Sequence, residues 1–310
     1  MEQSTSNILM IKPLGFGFNK ETSSNNYFQS TDNNYFKSDI INKANFEFDS
    51  LVKVLKEKSV EVIVFENENN PDAVFPNNWF STHQEGTVFL YPMFAENRRS
   101  ERKIEIFDSL VNDYSFKINN IENLSFNESD QTFLEGTGSM VLDRVNHIVY
   151  ASISERTSLK LLSSFCKKIN YKLIHFKSYH KVLDKTPLIY HTNVMMSIAT
   201  SFCIICLEAI TDLNEKEIVV ESLKKTGKSI IEISLNQINQ FAGNMLEVKD
   251  VNNKKYLVMS TSAFNSLSKN QINKIKKFTK IIHSPLNTIE KYGGGSARCM
   301  MAEIFLPNAI

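Results

Sequence analysis

Short apolar segments recur along the chain at regular intervals, and each one is opened by a small or polar residue. A turn and a second apolar segment follow four of them, as TVFLYPM, HIVYAS, SFCIICLE and KKYLVMS. Apolar runs of this length, bounded by turn residues, are typical of β-strands. The opening residues lie 51 to 60 positions apart and are Asn78, Gly138, Asn193, Asn244 and Cys299. This spacing predicts five repeats of one supersecondary unit.

A helical pattern follows several of the predicted hairpins. In SERTSLKLLSSFCKKI, apolar residues recur every three to four positions after a predicted cap at Ser154. NEKEIVVESLKKTG begins at Asn214, carries acidic residues early and ends at a glycine. KANFEFDSLVKVLKEK places Phe48, Leu51 and Leu55 on one face. Each unit is therefore predicted to fold as ββαβ.

The fifth unit, opened by Cys299, has no second strand before the sequence ends. The N-terminal segment ILMIKP would supply that strand and close a ring. The pattern thus predicts an α/β fold, a single domain over residues 1–310 with five units about a pseudo-fivefold axis. The opening residues would then point at the axis from five sides. The alternative is a generic α/β domain with one open mixed sheet.

Composition limits the class of protein. Of 310 residues, 42% are hydrophobic and 22% charged, and the net charge is +1. This is an ordinary globular composition, without the basic stripe of a nucleic-acid-binding protein. No apolar run reaches the roughly 18 residues of a membrane span, and the N-terminal segment lacks the features of a signal peptide. Four cysteines are too few for a disulfide framework. We therefore expect a cytoplasmic protein with neither nucleic-acid nor membrane partners.

Three of the four cysteines are predicted to be packed core thiols. Cys203 and Cys206 form a C-x-x-C inside the apolar run SFCIICLEAI, without a second ligand pair for zinc. Cys166 lies on the apolar face of a predicted helix. Cys299 differs, because it follows a glycine run in GGGSARCMMAE. Glycine lets backbone approach a substrate closely, which favours a nucleophilic role for this cysteine.

Several reactive side chains would meet if the opening residues converge. His191 lies two residues before the opener of its unit, and Glu135 lies three residues before the opener of another. A thiol, an imidazole, carboxylates and amides in one cavity form a set for nucleophilic catalysis with general acid/base help. The candidates are Cys299, His191, Glu135, Asp72, Asn77 and Asn78.

Each candidate also has a structural interpretation. A lone cysteine or histidine is more often part of the core, Glu135 could bond turn amides, and Asp72 after a proline is typical of a turn. Arg156 is compatible with a surface position in a first helical turn, and Arg98 and Arg99 with a solvated face. The Asn- and Ser-rich segment 16–36 has few core-forming residues and is either a lid or a long loop.

The order of the motifs resembles the guanidine-modifying superfamily of arginine deiminases, dimethylarginine hydrolases and arginine amidinotransferases. The motifs run from PDAVFPNNWFSTH through YPMFAENRRSER, LEGTGSMVLDR, YASISERT, YHTN and FAGNMLEV to GGGSARCMMAEIF. They span nearly the whole chain and are most similar to the citrulline-utilisation hydrolase, or dimethylargininase-like, branch. The resemblance implies a five-bladed α/β propeller, the pentein fold, and suggests a homodimer.

The resemblance also implies roles for the candidates. Cys299 matches the nucleophile, His191 the general acid/base, and Glu135 the acidic residue that binds substrate nitrogens beside them. An arginine of the S-x-R-T motif binds the substrate α-carboxylate, and a second arginine accompanies it. The implied substrate-binding residues are Asp72, Asn77, Asn78, Arg156 and either Arg98 or Arg99. The small-molecule amino-acid substrate needs no metal or organic cofactor in this scheme.

One departure from the family pattern bears on the substrate. Asn77 and Asn78 stand where dimethylargininases have a Glu-Asp pair. Unlike a carboxylate, an amide carries no negative charge to favour a cationic guanidinium. Its donor and its acceptor suit a neutral ureido group such as that of citrulline. The amide oxygen can also accept a hydrogen bond from a guanidinium. The H-T-N motif also lacks the aspartate of H-x-D in deiminases and amidinotransferases.

The predicted function is a cysteine-dependent hydrolase acting through a covalent S-linked intermediate. Its substrate would be the guanidino or ureido group of citrulline, arginine or a methylarginine. The alternatives are an arginine:amine amidinotransferase, which passes the amidino group to an amine instead of water, and a non-catalytic arginine- or citrulline-binding module.

Overall fold

The computed structural model describes residues 2–31, 36–182 and 184–309. Strands β1 to β15 span Asn7–Pro13, Glu61–Asn67, Phe80–Thr82, Thr87–Leu90, Asn120–Asn123, Val141–Asp143, Ile148–Ser152, Lys172–Phe176, Met196–Ile198, Phe202–Ile205, Ser229–Glu232, Leu246–Lys249, Lys255–Ser260, Lys280–Ser284 and Ala302–Glu303. Helices α1 to α9 span Lys37–Glu57, Glu105–Asn112, Gly136–Ser139, Leu159–Lys168, Leu213–Lys225, Leu235–Ile238, Thr261–Ser266, Lys269–Lys276 and Asn287–Gly293.

These strands form small sheets that share one internal order. Within the described residues there are five three-stranded sheets: β3-β4-β5, β6-β7-β8, β9-β10-β11, β12-β13-β14 and β15-β1-β2. In each, the central strand pairs antiparallel with one neighbour and parallel with the other. A parallel pair needs a crossover connection, which a helix supplies in each unit. The ββαβ repeat predicted from the opening residues is confirmed.

The N-terminal strand completes the last of these sheets. Ile8 pairs antiparallel with Glu303 on β15 and parallel with Val62 on β2. Strand β1 therefore takes the central place in a sheet whose first strand comes from the other end of the sequence, as predicted for ILMIKP. Helix α1 is the crossover of this unit, and its apolar face, including Phe48 and Leu55, is buried as predicted.

Two predicted helix starts are wrong, and local hydrogen bonds explain both. Helix α4 begins after Ser158, whereas the Ser154 hydroxyl donates to the Tyr190 carbonyl at 2.7 Å. Helix α5 is capped by Asp212, whose carboxylate accepts from a backbone N–H of the first turn. Asn214 lies inside that turn. A carboxylate is a cap as good as an amide, so the true start lies upstream of the predicted one.

The described residues have buried cores between sheets and helices, where the three cysteines predicted to be structural are found. Cys203 and Cys206 are fully buried, and Cys166 is 3% exposed. All four cysteines are free thiols. No helix in the described part of the chain is long and apolar enough to cross a bilayer.

Candidate active site

The turns that open the repeats converge on one small cavity. Asn78 ends the 3₁₀ turn Pro76–Asn78, and Cys299 lies in the turn before β15. The cavity has a volume of about 10 Å³, room for about one water molecule. Six of the eight predicted site residues contribute to its lining. The lining residues are Thr22, Asn26, Asp72, Phe75, Asn78, Arg98, Arg156, Tyr190, His191, Gly293, Gly295 and Cys299.

Gly138, which opens the second repeat, allows two polar side chains to approach each other. A Cβ atom at this position would lie 2.4 Å from Asn78 Nδ2 and 2.8 Å from His191 Nδ1. Both distances are shorter than van der Waals contact, so any side chain here would displace Asn78 or His191. This opener is therefore a glycine for a steric reason.

His191 is held by a buried carboxylate. Its Nε2 lies 2.7 Å from Glu135 Oε2, and neither side chain is more than 2% exposed. Because an ionised carboxylate only accepts hydrogen bonds, the proton of the neutral imidazole is on Nε2. Nδ1 is then the ring nitrogen that can take up a proton. This is the arrangement of a positioned general base.

Burial and neighbouring charges set the protonation states of this pair. Burial lowers the pKa of His191 to about 4, against the opposing hydrogen bond and charge of Glu135. Burial also acts to raise the pKa of Glu135, but the charge of Arg156 and the contact with His191 outweigh it and hold this pKa below its usual value. At neutral pH the site therefore holds a neutral imidazole beside an ionised carboxylate.

Helix α3 ties the backbone of these residues together. The Ser139 hydroxyl accepts from the Glu135 N–H at 2.9 Å and donates to the Arg156 carbonyl at 2.7 Å. The Thr192 hydroxyl donates to the Ser139 carbonyl at 2.5 Å. The carboxylate, the arginine and the turn that follows His191 are thus fixed by one serine.

Arg156 is enclosed by protein groups. Its Nη1 lies 3.4 Å from Glu135 Oε2, and Nη2 donates to the Thr22 carbonyl at 2.8 Å. Its Nε donates to Asn25 Oδ1 at 2.8 Å, and the guanidinium carbon lies 4.8 Å from the centroid of the Tyr190 ring. A substrate carboxylate would have to replace Thr22 and Asn25 to bind this arginine.

Part of the segment 16–36 covers the cavity; residues 32–35 lie outside the described residues. Asn19 Nδ2 and the Thr22 hydroxyl donate to Asp72 Oδ2 at 2.8 and 2.9 Å. Polar side chains of this segment therefore form hydrogen bonds with a buried polar group of the site.

Arg98 belongs to the site and Arg99 does not. Arg98 is 2% exposed, binds both carboxylate oxygens of Glu101 at 3.0 and 2.8 Å, and donates from Nη1 to Asn78 Oδ1 at 2.8 Å. Arg99 is partly exposed and lies 3.5 Å from Glu128. The interpretation of these arginines as a solvated face is therefore wrong for Arg98.

The contact with Arg98 determines which amide atom of Asn78 is left without a partner. Burial acts to lower the pKa of Arg98, but the Glu101 carboxylate outweighs burial and raises it, so the guanidinium remains a pure donor. The atom of Asn78 that meets it must be Oδ1, which leaves Nδ2 without a partner among the described residues. Asp72 Oδ1 is likewise unpartnered within the described chain, and burial raises the pKa of this carboxyl.

Cys299 is surrounded by carboxamides. Its Sγ lies 3.3 Å from Asn193 Nδ2 and 3.1 Å from Asn244 Nδ2, and the side chain is buried. Both asparagines open repeats in the sequence pattern, but their contact with the thiol was not predicted. The sequence repeat could have indicated this contact, because equivalent turns of neighbouring units meet at the same place.

The glycine run before Cys299 packs against an aromatic ring. A Cβ atom on Gly293 or Gly295 would lie 2.8 Å from ring atoms of Phe75. Gly294 adopts a φ of +63° and its carbonyl accepts from the Tyr190 hydroxyl at 2.8 Å. In this structure the glycines permit close approach to Phe75, and close approach of their backbone to a substrate stays a prediction.

Asn77 is not among the residues that line the cavity. Its carbonyl accepts from the Thr137 hydroxyl at 3.2 Å, while its buried carboxamide has no partner in the part of the chain that the structure describes. Its role in substrate binding stays a prediction. Among the described residues, no group of three or more His, Cys, Asp or Glu side chains is arranged to hold a metal ion.

Solved structures with the same fold come from enzymes of arginine metabolism. ArgZ, an arginine dihydrolase from the ornithine-ammonia cycle in cyanobacteria, matches 97% of this chain at 17% identity and a TM-score of 0.73. This chain spans 41% of the length of that ArgZ chain. The N-terminal domain of ArgZ, in an asparagine-to-serine variant covalently bound to a reaction intermediate, matches at 18% identity and a TM-score of 0.70, covering 97% of this chain and 99% of that one.

A third structure is an adduct of a dimethylarginine dimethylaminohydrolase variant with S-methyl-L-thiocitrulline. It has 14% identity and a TM-score of 0.60, and the match covers 96% of this chain and 99% of that one. Identities this low show a shared fold. No curated protein sequence matches the chain.

The chain thus shares its fold with proteins named as an arginine dihydrolase and a dimethylarginine dimethylaminohydrolase. Residues 12–306 match the model of the family described as N,N dimethylarginine dimethylhydrolase, eukaryotic, and the chain belongs to that family. That family is described by its hydrolysis of dimethylarginine. The resemblance inferred from the motifs is confirmed.

Proposed function

We propose that the protein hydrolyses the guanidino or ureido group of an arginine-like amino acid, with the ureido group of citrulline as its preferred substrate. The observation that carries the preference is the free amide donor of Asn78. A ureido oxygen accepts from Nδ2, whereas a protonated guanidinium has no lone pair to offer. The oxygen of Asn78, which could have accepted from a guanidinium, is already bound to Arg98. Asp72 Oδ1 is free to accept from a substrate N–H.

The first half of the reaction forms a covalent intermediate. His191, neutral in the free site, takes up the Cys299 thiol proton at Nδ1 as substrate binds. The thiolate then attacks the central carbon, and the imidazolium delivers the proton to the leaving nitrogen. The C–N bond breaks with its electron pair on nitrogen, and ammonia departs. The intermediate bound to the ArgZ domain supports a covalent route in this fold.

The second half releases the product. His191 removes a proton from water while the water oxygen attacks the same carbon, and the C–S electron pair returns to sulfur. Citrulline would yield ornithine after its carbamate loses carbon dioxide, and arginine would yield citrulline. Glu135 stabilises the imidazolium that forms in both halves. Arg156 would bind the substrate carboxylate in place of Thr22 and Asn25.

We also infer that the five sheets are the blades of a five-bladed α/β propeller about a pseudo-fivefold axis, forming one domain over residues 1–310. The common strand order, the closure by β1 and the convergence of the opening turns support this arrangement. A homodimer and a cytoplasmic location stay predictions.

The test is parallel turnover of citrulline, arginine and dimethylarginine, with ammonia, ornithine, citrulline and dimethylamine as readouts. We expect ornithine and ammonia from citrulline. Cys299→Ser should reduce turnover by about 10⁶-fold, as loss of a nucleophile does, while Cys206→Ser should keep it. Citrulline formed from either guanidine, with citrulline itself inert, would contradict the ureido preference. Turnover that needs an added amine would indicate an amidinotransferase.

A substitution sharpens the substrate assignment. Asn78→Asp would place a carboxylate at the reacting group and should move the ratio of kcat/KM for arginine over citrulline upward by about tenfold. The matched control is Asn127→Asp, because Asn127 bonds the Leu124 carbonyl away from the cavity. An unchanged ratio in Asn78→Asp would remove Asn78 from substrate selection.

A further inference from the structure

Two carboxamides from neighbouring repeats meet at the sulfur of Cys299. We propose that Asn193 and Asn244 are catalytic residues whose N–H groups stabilise the thiolate of the nucleophile when it forms. The inference rests on the proposed function in one respect, that Cys299 is the nucleophile. The Nδ2 atoms lie 3.3 and 3.1 Å from Sγ, within reach of hydrogen bonds to sulfur. A hydrogen bond to the charged form of a group favours that form.

The orientation of Asn244 is fixed by groups other than the sulfur. The backbone N–H of Cys299 donates to Asn244 Oδ1 at 3.3 Å, and a backbone N–H can only donate. Nδ2 is then the atom that faces Sγ, and it also donates to the Asn193 carbonyl at 3.1 Å. The amide thus binds both the backbone and the side chain of the nucleophile, and only a donor can face the sulfur.

Asn193 adds a second donor from the turn that carries the base. It lies in the turn Thr192–Val194, which His191 precedes, so one turn delivers both groups to the cavity. Its Oδ1 is buried and has no partner among the residues described here. Leaving a buried acceptor unpaired is costly, and a purely structural asparagine would use its oxygen. The side chain is therefore held by its contact with the sulfur.

The charged groups around the thiol are engaged elsewhere. The titratable side chains that line the cavity or adjoin Cys299 are Asp72, Arg98, Arg156, Tyr190, His191 and Arg298. Arg298 donates to the Met301 carbonyl at 2.8 Å and to Glu303 at 2.9 Å. Two neutral donors can stabilise a thiolate in this low-dielectric setting without drawing the arginines away from their partners.

The experiment is alkylation of Cys299 by iodoacetamide across a range of pH, followed by mass spectrometry and without any substrate. Asn193→Leu and Asn244→Leu keep the approximate volume and remove the donors. Each should move the pH midpoint of alkylation upward by about one unit, the size expected from a hydrogen bond to a charged group. At neutral pH, kcat should fall by about tenfold with KM changed much less.

The other thiols report on folding. Burial raises the pKa of Cys166 and of Cys206 to about 12, so these thiols should stay unreactive while a variant is folded. If a leucine variant makes Cys166 or Cys206 reactive, the same measurement is made on Asn244→Asp. It keeps the acceptor for the Cys299 N–H but faces the sulfur with a carboxylate, and the midpoint should rise at least as far.

The results separate this inference from the proposed function. A raised midpoint in the folded variants supports the role of the amides, even in a protein that turns over none of the three substrates. An unchanged midpoint in both leucine variants overturns it, even where the parent protein hydrolyses citrulline. A shift in Asn244→Leu alone would remove Asn193 from the proposal.

Discussion

The two sides of the cavity are built from different chemistry. On one side, Glu135 lies between His191 and Arg156, and every charge has a partner within about one hydrogen-bond length. On the other side, the hydrogen-bond partners of the Cys299 sulfur among the described residues are the neutral amides of Asn193 and Asn244. The side of Glu135 therefore defines one resting protonation state, a neutral imidazole beside an ionised carboxylate. The nucleophile side leaves the sulfur free to change its charge and its bonds during turnover.

Substitutions on the two sides of the cavity should also differ in their effects on stability and on activity. A buried ion pair that loses one partner leaves an uncompensated charge, which typically costs about 3–5 kcal/mol. Substitutions on the side of Glu135 should therefore reduce both the free energy of unfolding and the rate. Substitutions of the amides beside Cys299 leave no charge unpaired in the resting thiol, so their effect should be mainly on the rate.

The largest expected effect would come from Glu135→Gln. The amide cannot balance Arg156 or stabilise an imidazolium at His191, so kcat should fall by about 10²–10⁴-fold. The melting temperature should also fall. The control is Glu122→Gln, which removes an exposed pair with Lys168 and should change neither quantity measurably. A Glu135→Gln protein with near-parental kcat would show that the charged side is structural only.

A larger side chain at Gly138 tests whether the positions of Asn78 and His191 must be fixed. Gly138→Ala would place a methyl group 2.4 Å from Asn78 Nδ2 and 2.8 Å from His191 Nδ1. The displaced base should lower kcat by about 10²-fold, the usual cost of a shift of about 1 Å. Gly17→Ala is the matched control, because nothing lies within 4 Å of its Cβ position. Equal kcat in the two variants would contradict a tightly fixed base.

The sequence predicted this architecture better than it predicted the contacts inside it. Openers such as Asn193 and Cys299 stood out because a polar residue before an apolar strand recurs at a regular interval, and the strand order followed from that repeat. The hydrogen bonds that Arg156 donates to Thr22 and Asn25 carry no such signal. They join residues more than 130 positions apart in a segment without periodicity, so only the folded chain brings them together.

The sequence also did not show which of two residues of the same type occupies a given position. Arg98 and Arg99 are chemically identical in the sequence, and a turn decides which one faces Asn78. The helix cap at Ser158 rather than Ser154 is the same kind of difference, because both serines precede an apolar pattern. The polar residues that line the cavity were therefore predictable by type, whereas the partner of each group was not.

The smallest expected effect is the pH dependence of the charged side. The pKa of His191 is about 4 in the folded protein, below its usual 6.5, so the folded state binds this proton less readily than the unfolded chain. The contribution of neutral His191 to stability is complete above pH 6.5 and is lost as pH falls through about 4.

NMR titration of the imidazole should give a midpoint near 4, and Glu135→Gln should lower it further because the carboxylate raises it. A His191 midpoint near that of a free imidazole would mean that burial does not hold the base neutral, and the contrast between the two sides would disappear.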